Sequence, residues 1–169
     1  PDDVVNAVVY QGTGPKSLTL MTMRNVGSGR GAHTSLLIDA SQRVLFDPAG
    51  SFVSAAVPER NDVLFGMSPQ IEAYYIGYHA RETYYVETQK IFVSPEVAET
   101  ALRLALANGA VPKAACAKAT SGILRQLPGF ESVGSTYFPV TLRDRFETLP
   151  DVTLTVYRED DADDNSTAA

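Results

Sequence analysis

Residues 17 to 25 read SLTLMTMRN, where Leu18 and Leu20 alternate with Thr19 before the phase slips and Met21 and Met23 alternate with Thr22. Alternation with period two marks a strand. The slip means that this strand is apolar on both faces or carries a bulge at that point. A glycine-rich loop, NVGSGRGA, leads into a second strand, HTSLLID, beginning at His33. DASQ is a turn signal, and RVLFDPAG is a third short strand ended by proline and glycine, so the pair predicts a hairpin. The β-branched and aromatic run ETYYVETQKIFVS predicts a long strand, and VTLTVYR a closing one.

Helical signals lie between and after these strands. Ser68 and Pro69 open a short helix in MSPQIEAYYIGYHA, with serine as cap and proline at the first helical position. Ser94-Pro95-Glu96 starts a stronger one, in which Ala98, Leu102, Ala105 and Leu106 form an apolar face and Gly109 marks the stop. A further helix spans about KAACAKATSGILRQL, with Cys116, Thr120, Ile123 and Leu127 on one face. TLRDRFETL offers a last short helix. The opening VVNAVVYQ is short, apolar and broken by GTGP, and residues 49 to 66 read as an irregular surface excursion. No internal repeat is present.

A chain of 169 residues is long enough for one core, and we read one domain over residues 1–158 followed by an acidic, disordered tail over 159–169. Apolar residues at 44% and charged residues at 20% describe a packed domain with both helices and strands. The net charge is −6, and Glu159, Asp160, Asp161, Asp163 and Asp164 supply most of it. The body carries no basic stripe, which argues against a nucleic-acid partner. A single cysteine permits no internal disulfide, and two histidines without metal-ligand spacing argue against a structural zinc. No apolar run approaches the roughly 20 residues of a membrane-spanning helix. The first residues, Pro-Asp-Asp without methionine, suggest removal of a signal peptide or of cloning residues upstream.

Cys116 stands near a helix start, where the macrodipole and unpaired amides lower a thiol pKa and offer oxyanion donors. The competing reading is a buried cysteine acting as a small hydrophobe. His33 opens a strand after Gly27, Gly29 and Gly31, at the rim of a sheet; a histidine there is alternatively a plain surface residue. Asp47 is its candidate partner, since a turn centred on Ala40 pairs position 33 with 47 on one face. Asp before proline is also a common turn starter. GSGRG lacks dinucleotide and phosphate-loop spacing and reads as a flexible loop bordering a site, with Gly29 and Gly31 as substrate-binding candidates. His79 ranks second as a base. Tyr74, Tyr75 and Tyr78 read as packing or groove-lining residues, and Tyr75 is the one assigned to substrate binding.

The order of these parts, a glycine-rich loop, RGAHTSLLIDASQRVLFDP as a histidine hairpin and KAACAKATSGIL as a later cysteine helix, resembles the circularly permuted papain-like cysteine hydrolases. That group is related to the NlpC-type peptidases and includes lecithin:retinol acyltransferase-like enzymes and bacterial envelope lipoproteins. The likeness covers about residues 16 to 128. It implies an α+β fold with an antiparallel sheet of about five or six strands against a helical layer carrying the cysteine. It also implies Cys116 as nucleophile, His33 as base and Asp47 as orienting residue in a thiol hydrolase or acyltransferase that needs no cofactor. The substrate would be a small molecule, peptide or lipid bearing an amide or ester. The alternative is an inactive papain-like binding module, or an envelope interaction protein with a structural cysteine. Ala115 stands where the acyltransferase branch has asparagine before cysteine. The likeness further implies a periplasmic or envelope-anchored location, with a lipid anchor or an envelope partner.

Overall fold

The computed structural model describes residues 2–158. The elements are α1 (Asp2–Ala7), β1 (Ser17–Asn25), β2 (Gly31–Asp39), β3 (Arg43–Phe46), β4 (Glu59–Arg60), β5 (Val63–Leu64) and α2 (Pro69–His79). They continue with β6 (Tyr84–Phe92), α3 (Pro95–Asn108), α4 (Cys116–Leu124), a 3-10 turn at Glu131–Val133, α5 (Pro139–Glu147) and β7 (Thr153–Tyr157). All strand pairings are antiparallel, in one open sheet of order β4-β5-β3-β2-β1-β6-β7. The fold is α+β, as expected, but the sheet has seven strands where five or six were expected. The additional strands, β4 and β5, are two residues each and lie within the segment read as irregular. Such short pairs leave no periodic signal.

The phase slip in β1 has a direct structural meaning. Ser17 to Met23 are all buried, with Leu18 and Leu20 in one core and Met21 and Met23 in the other. The register against β2 runs unbroken from Ser17↔Asp39 to Met23↔His33 and shifts only between Met23 and Arg24. The strand is therefore apolar on both faces, and the bulge lies past the slip rather than at it. Two-sided burial follows from position, since β1 is flanked by β2 and β6 and covered on each side.

Helices α3, α4 and α5 cover the face that carries Leu20, Leu36 and Phe46. The opposite face, with Met21, Leu37 and Leu45, is closed by α2 through Tyr75 and Ile76 and by Phe52 and Val57 from the long connection. The helical cover is thus divided between two faces instead of forming one layer. Ser68 and Ser94 accept the third helical amide of α2 and α3 respectively, each followed by proline at the first position, which is how serine caps a helix start. The opening residues form α1, whose Val5 is buried; its six residues are too few for a periodic pattern. The acidic tail at 159–169 lies outside the described residues, and among the described residues no helix is long and apolar enough to cross a membrane.

Leu36 has no exposed surface and pairs with Leu20 on β1 and Phe46 on β3. Leu36→Ala should destabilise the protein by about 2–5 kcal/mol through lost burial and an unfilled cavity. Urea unfolding should show a lowered midpoint with an unchanged slope.

Candidate active site

The β2–β3 hairpin is built around Ser41, because Asp39 pairs with Arg43 and Leu36 with Phe46. This corrects the register expected from a turn at Ala40. Continued one step, it sets Asp47 opposite Ser35, with His33 the diagonal neighbour. The displacement is two positions along a strand, so side-chain parity survives, and His33 and Asp47 still project to one face. His33 Nε2 lies 2.6 Å from Asp47 Oδ1. The His33 side chain is 15% exposed and that of Asp47 4%.

Tyr75 on α2 completes this arrangement from beneath. Its hydroxyl donates to Asp47 Oδ1 at 2.8 Å and lies 3.0 Å from Ser35 Oγ. A phenol has one proton, so the serine hydroxyl donates to the tyrosine oxygen. Burial, followed by the charge of Asp47, holds the Tyr75 pKa well above the usual tyrosine range, so the phenol stays protonated. Tyr75 has no exposed surface, which corrects its assignment as a substrate contact: its role here is to hold the carboxylate.

Cys116 is the first residue of α4. Ala114, two residues earlier, takes a left-handed φ of 69°, and the cap residue Ala115 supplies no side-chain acceptor. The first-turn amides, which lack intrahelical partners, are therefore not consumed by a cap. Because β3 ends at Phe46, the Gly31–Ser35 half of β2 is unpaired on that side, and the start of α4 meets it there. The Thr34 and Ala117 amides both donate to the thiol sulfur.

His33 and Cys116 are within hydrogen-bonding reach. With Nε2 held by Asp47, Nδ1 is the ring nitrogen left for the thiol. Burial opposes the imidazolium, but hydrogen bonds to Asp47 and Cys116 and the charges of both outweigh it. The His33 pKa rises from 6.5 to about 9. Burial likewise opposes ionisation of Cys116, and the hydrogen bond and charge of His33, with the Thr34 and Ala117 amides, more than offset it. The thiol pKa falls below its ordinary value. Both shifts move the pair toward thiolate facing imidazolium, and the apparent titrations belong to the pair.

His79, the rival base, lies beside His33 with ring centroids 6.2 Å apart and planes within 12°. Its Nδ1 is 2.9 Å from the Tyr75 carbonyl, so that nitrogen carries the proton and donates. Burial, aided by the His33 charge, lowers its pKa against the opposing Tyr75 bond and Asp47 charge. A neutral His79 is thus layered on His33, and it is His33 whose hydrogen bond and charge lower the Cys116 thiol. Sequence reading missed these supporting roles for Tyr75 and His79; their i, i+4 spacing on a predicted helix was the available signal that they share a face.

The glycine-rich loop is fixed from below. Arg24 donates from Nε to the Gly29 carbonyl at 2.9 Å and from its terminal nitrogen to Glu87 at 2.8 Å, while Arg143 makes two further bonds to Glu87. Burial would raise the Glu87 pKa, but the bonds and charges of Arg24 and Arg143 hold it below the usual carboxylate range. Gly29 takes φ +72°, a left-handed value suited to glycine. At Gly31 a Cβ would come within 2.7 Å of Pro139 Cβ, so glycine there lets β2 pass close to α5. Comparisons with protein-family models, curated proteins and solved structures return no match.

In a proton NMR titration, His33 should remain protonated through neutral pH with a midpoint near 9. Asp47→Asn removes a major raising influence while burial remains, so the midpoint should fall. Tyr75→Phe should cost about 1–3 kcal/mol, because it deprives the buried Ser35 and Asp47 of a partner; denaturant unfolding reads this directly.

Proposed function

We propose that this chain is a thiol hydrolase or acyltransferase of the circularly permuted papain-like type, with Cys116 as nucleophile, His33 as general acid and base, and Asp47 as the residue that orients the imidazole. The observation that carries this reading is one buried network joining Asp47, His33 and a helix-start cysteine, with the thiol lowered and the imidazole raised. Cysteine nucleophiles need such a base and orienting group.

In the proposed reaction the Cys116 sulfur adds to the carbonyl carbon of an amide or ester, forming a C–S bond and an oxyanion. First-turn amides of α4 would donate to that oxygen. Collapse breaks the bond to the amine or alcohol, and His33 gives its proton to the leaving group. A water or an acceptor alcohol or amine then attacks the thioester, His33 takes the incoming proton, and the acyl product leaves with the sulfur again a thiolate. Gly29 and Gly31 would border the groove. From the family likeness we also carry a peptide, lipid or small-amide substrate and a periplasmic or envelope-anchored setting.

A second reading, an inactive papain-like binding module or an envelope interaction protein with a structural cysteine, is favoured by one observation: Cys116 is only 6% exposed. Alkylation separates the two. Under the enzyme reading, iodoacetamide should modify native Cys116 rapidly at pH values well below the free-thiol pKa of about 8.5. His33→Ala should sharply reduce that reactivity, since burial then raises the thiol with only the Thr34 and Ala117 amides opposing it. Turnover should show a bell-shaped pH profile, with the acid limb from protonation of the thiolate and the alkaline limb near 9, where His33 loses its proton. A thiol that reacts only after unfolding would sink the enzyme reading in favour of the binding one.

A further inference from the structure

Asn61 and Asp62 form the two-residue loop between β4 and β5, because Arg60 pairs with Val63. Both take left-handed φ values, 52° and 66°, as the central residues of a type I′ hairpin turn do, and the second of those positions usually falls to glycine. An aspartate there carries a steric cost that glycine would not, so its side chain calls for an explanation. The carboxylate supplies one. Asp62 Oδ2 accepts from the Ala49 amide at 3.0 Å and from the Val111 amide at 2.8 Å, and these two amides belong to two different parts of the site.

Ala49 lies in the turn that Asp47 opens, where the Gly50 amide donates to the Asp47 carbonyl at 3.1 Å. At the third position of that turn Ala49 has a φ of 57°, again a value that favours glycine. The bond to Asp62 holds this strained residue in place. The Asp47 amide itself donates to the Asp62 carbonyl at 2.8 Å, so Asp62 grips the turn at two points. Val111 lies in the 109–115 connection that leads from α3 into Cys116. That connection closes on itself through the Ala115 amide and the Pro112 carbonyl and turns left-handed at Ala114. Strain at Ala49, Asp62 and Ala114 persists only where the surrounding contacts fix it. We propose that Asp62 is a positioning residue, whose carboxylate braces the turn carrying Asp47 against the connection that delivers Cys116. Both bonds are charge-assisted, and they join the orienting group's segment to the nucleophile's. The consequence for catalysis rests on the proposed function; the brace does not.

The test compares Asp62→Gly and Asp62→Asn with the wild type. Glycine suits the left-handed backbone and removes the acceptor, whereas asparagine tolerates that backbone and keeps an oxygen for both amides. In Asp62→Gly, iodoacetamide modification of native Cys116 at a fixed pH should slow about tenfold, because small displacements of reacting groups are costly. The His33 midpoint, followed by NMR, should fall from about 9 as Asp47 loosens. Asp62→Asn should stay within about threefold of the wild-type rate, since only the charge assistance is lost. If Asp62→Gly unfolds at lower urea yet keeps the wild-type alkylation rate and His33 midpoint, Asp62 is merely structural and the proposal is overturned. An Asp62→Asn as slow as Asp62→Gly overturns it too, because the bonds to the two amides would not carry the effect. Should Asp62→Gly not fold, the wild type decides: its Ala49 and Val111 amides should exchange with deuterium far more slowly than open loop amides, and rapid exchange at either overturns the brace. A wild-type Cys116 that is inert defeats the thiol reading and the catalytic consequence together, while slow exchange and a lowered His33 midpoint in Asp62→Gly uphold the brace.

Discussion

Asp47 Oδ1 accepts two hydrogen bonds, from His33 and Tyr75, in a side chain with 4% exposure. A carboxylate withdrawn from water this far costs several kcal/mol unless its bonds are made, so whatever supplies them must be positioned together. The hairpin register brings His33 alongside, and α2 brings Tyr75. Gly50 leaves the space that a Cβ would take from Oδ2. One buried acceptor therefore couples the β2–β3 hairpin, the docking of α2 and the orientation of the imidazole, three features that are distant in sequence.

The sheet provides the other half of the arrangement by ending unevenly. β2 is paired with β1 along its whole length but with β3 only from Leu36 onward. Cys116 belongs to the helices on one face, next to Ala117 in that core, while His33 by strand alternation shares the face of Met23 and Leu37. Side chains from opposite faces do not meet through a closed sheet. They meet here because the open edge of β2 lets the start of α4 come level with the strand and take the Thr34 amide.

Most of the local structure was legible because it rests on local chemistry. The serine–proline starts of α2 and α3 and the hairpin follow from residue spacing, two-sided burial of β1 was one of the two readings its phase slip left open, and the His33–Asp47 neighbourhood survived a register error because parity was preserved. The parts that were not legible depend on contacts far apart in the chain. Tyr75 reads as an ordinary groove aromatic until it is placed 40 residues from Ser35. His79 reads as a competing base until its proton is assigned by the Tyr75 carbonyl. The two-residue strands β4 and β5 are too short to produce alternation. The predicted cysteine helix began about three residues early, and the difference matters: only at the first helical position does the sulfur see a free amide end instead of a helix flank.

A buried thiolate facing a buried imidazolium is not stable by Coulomb attraction alone, because withdrawing both ions from water opposes it. Here the opposition appears in each shift, where burial is the largest single influence and acts against the charged form of both groups. The balance is reversed by neighbours that are fixed before any ligand arrives: the Thr34 and Ala117 amides on the sulfur and the Asp47 carboxylate on the ring. His79 adds bulk over that ring without adding a second charge, since its own proton is committed to the Tyr75 carbonyl and burial keeps it neutral. The charge state of the pair is consequently a property of the folded frame as a whole. A change at Asp47, on the far side of the imidazole from the sulfur, must therefore alter the cysteine as well.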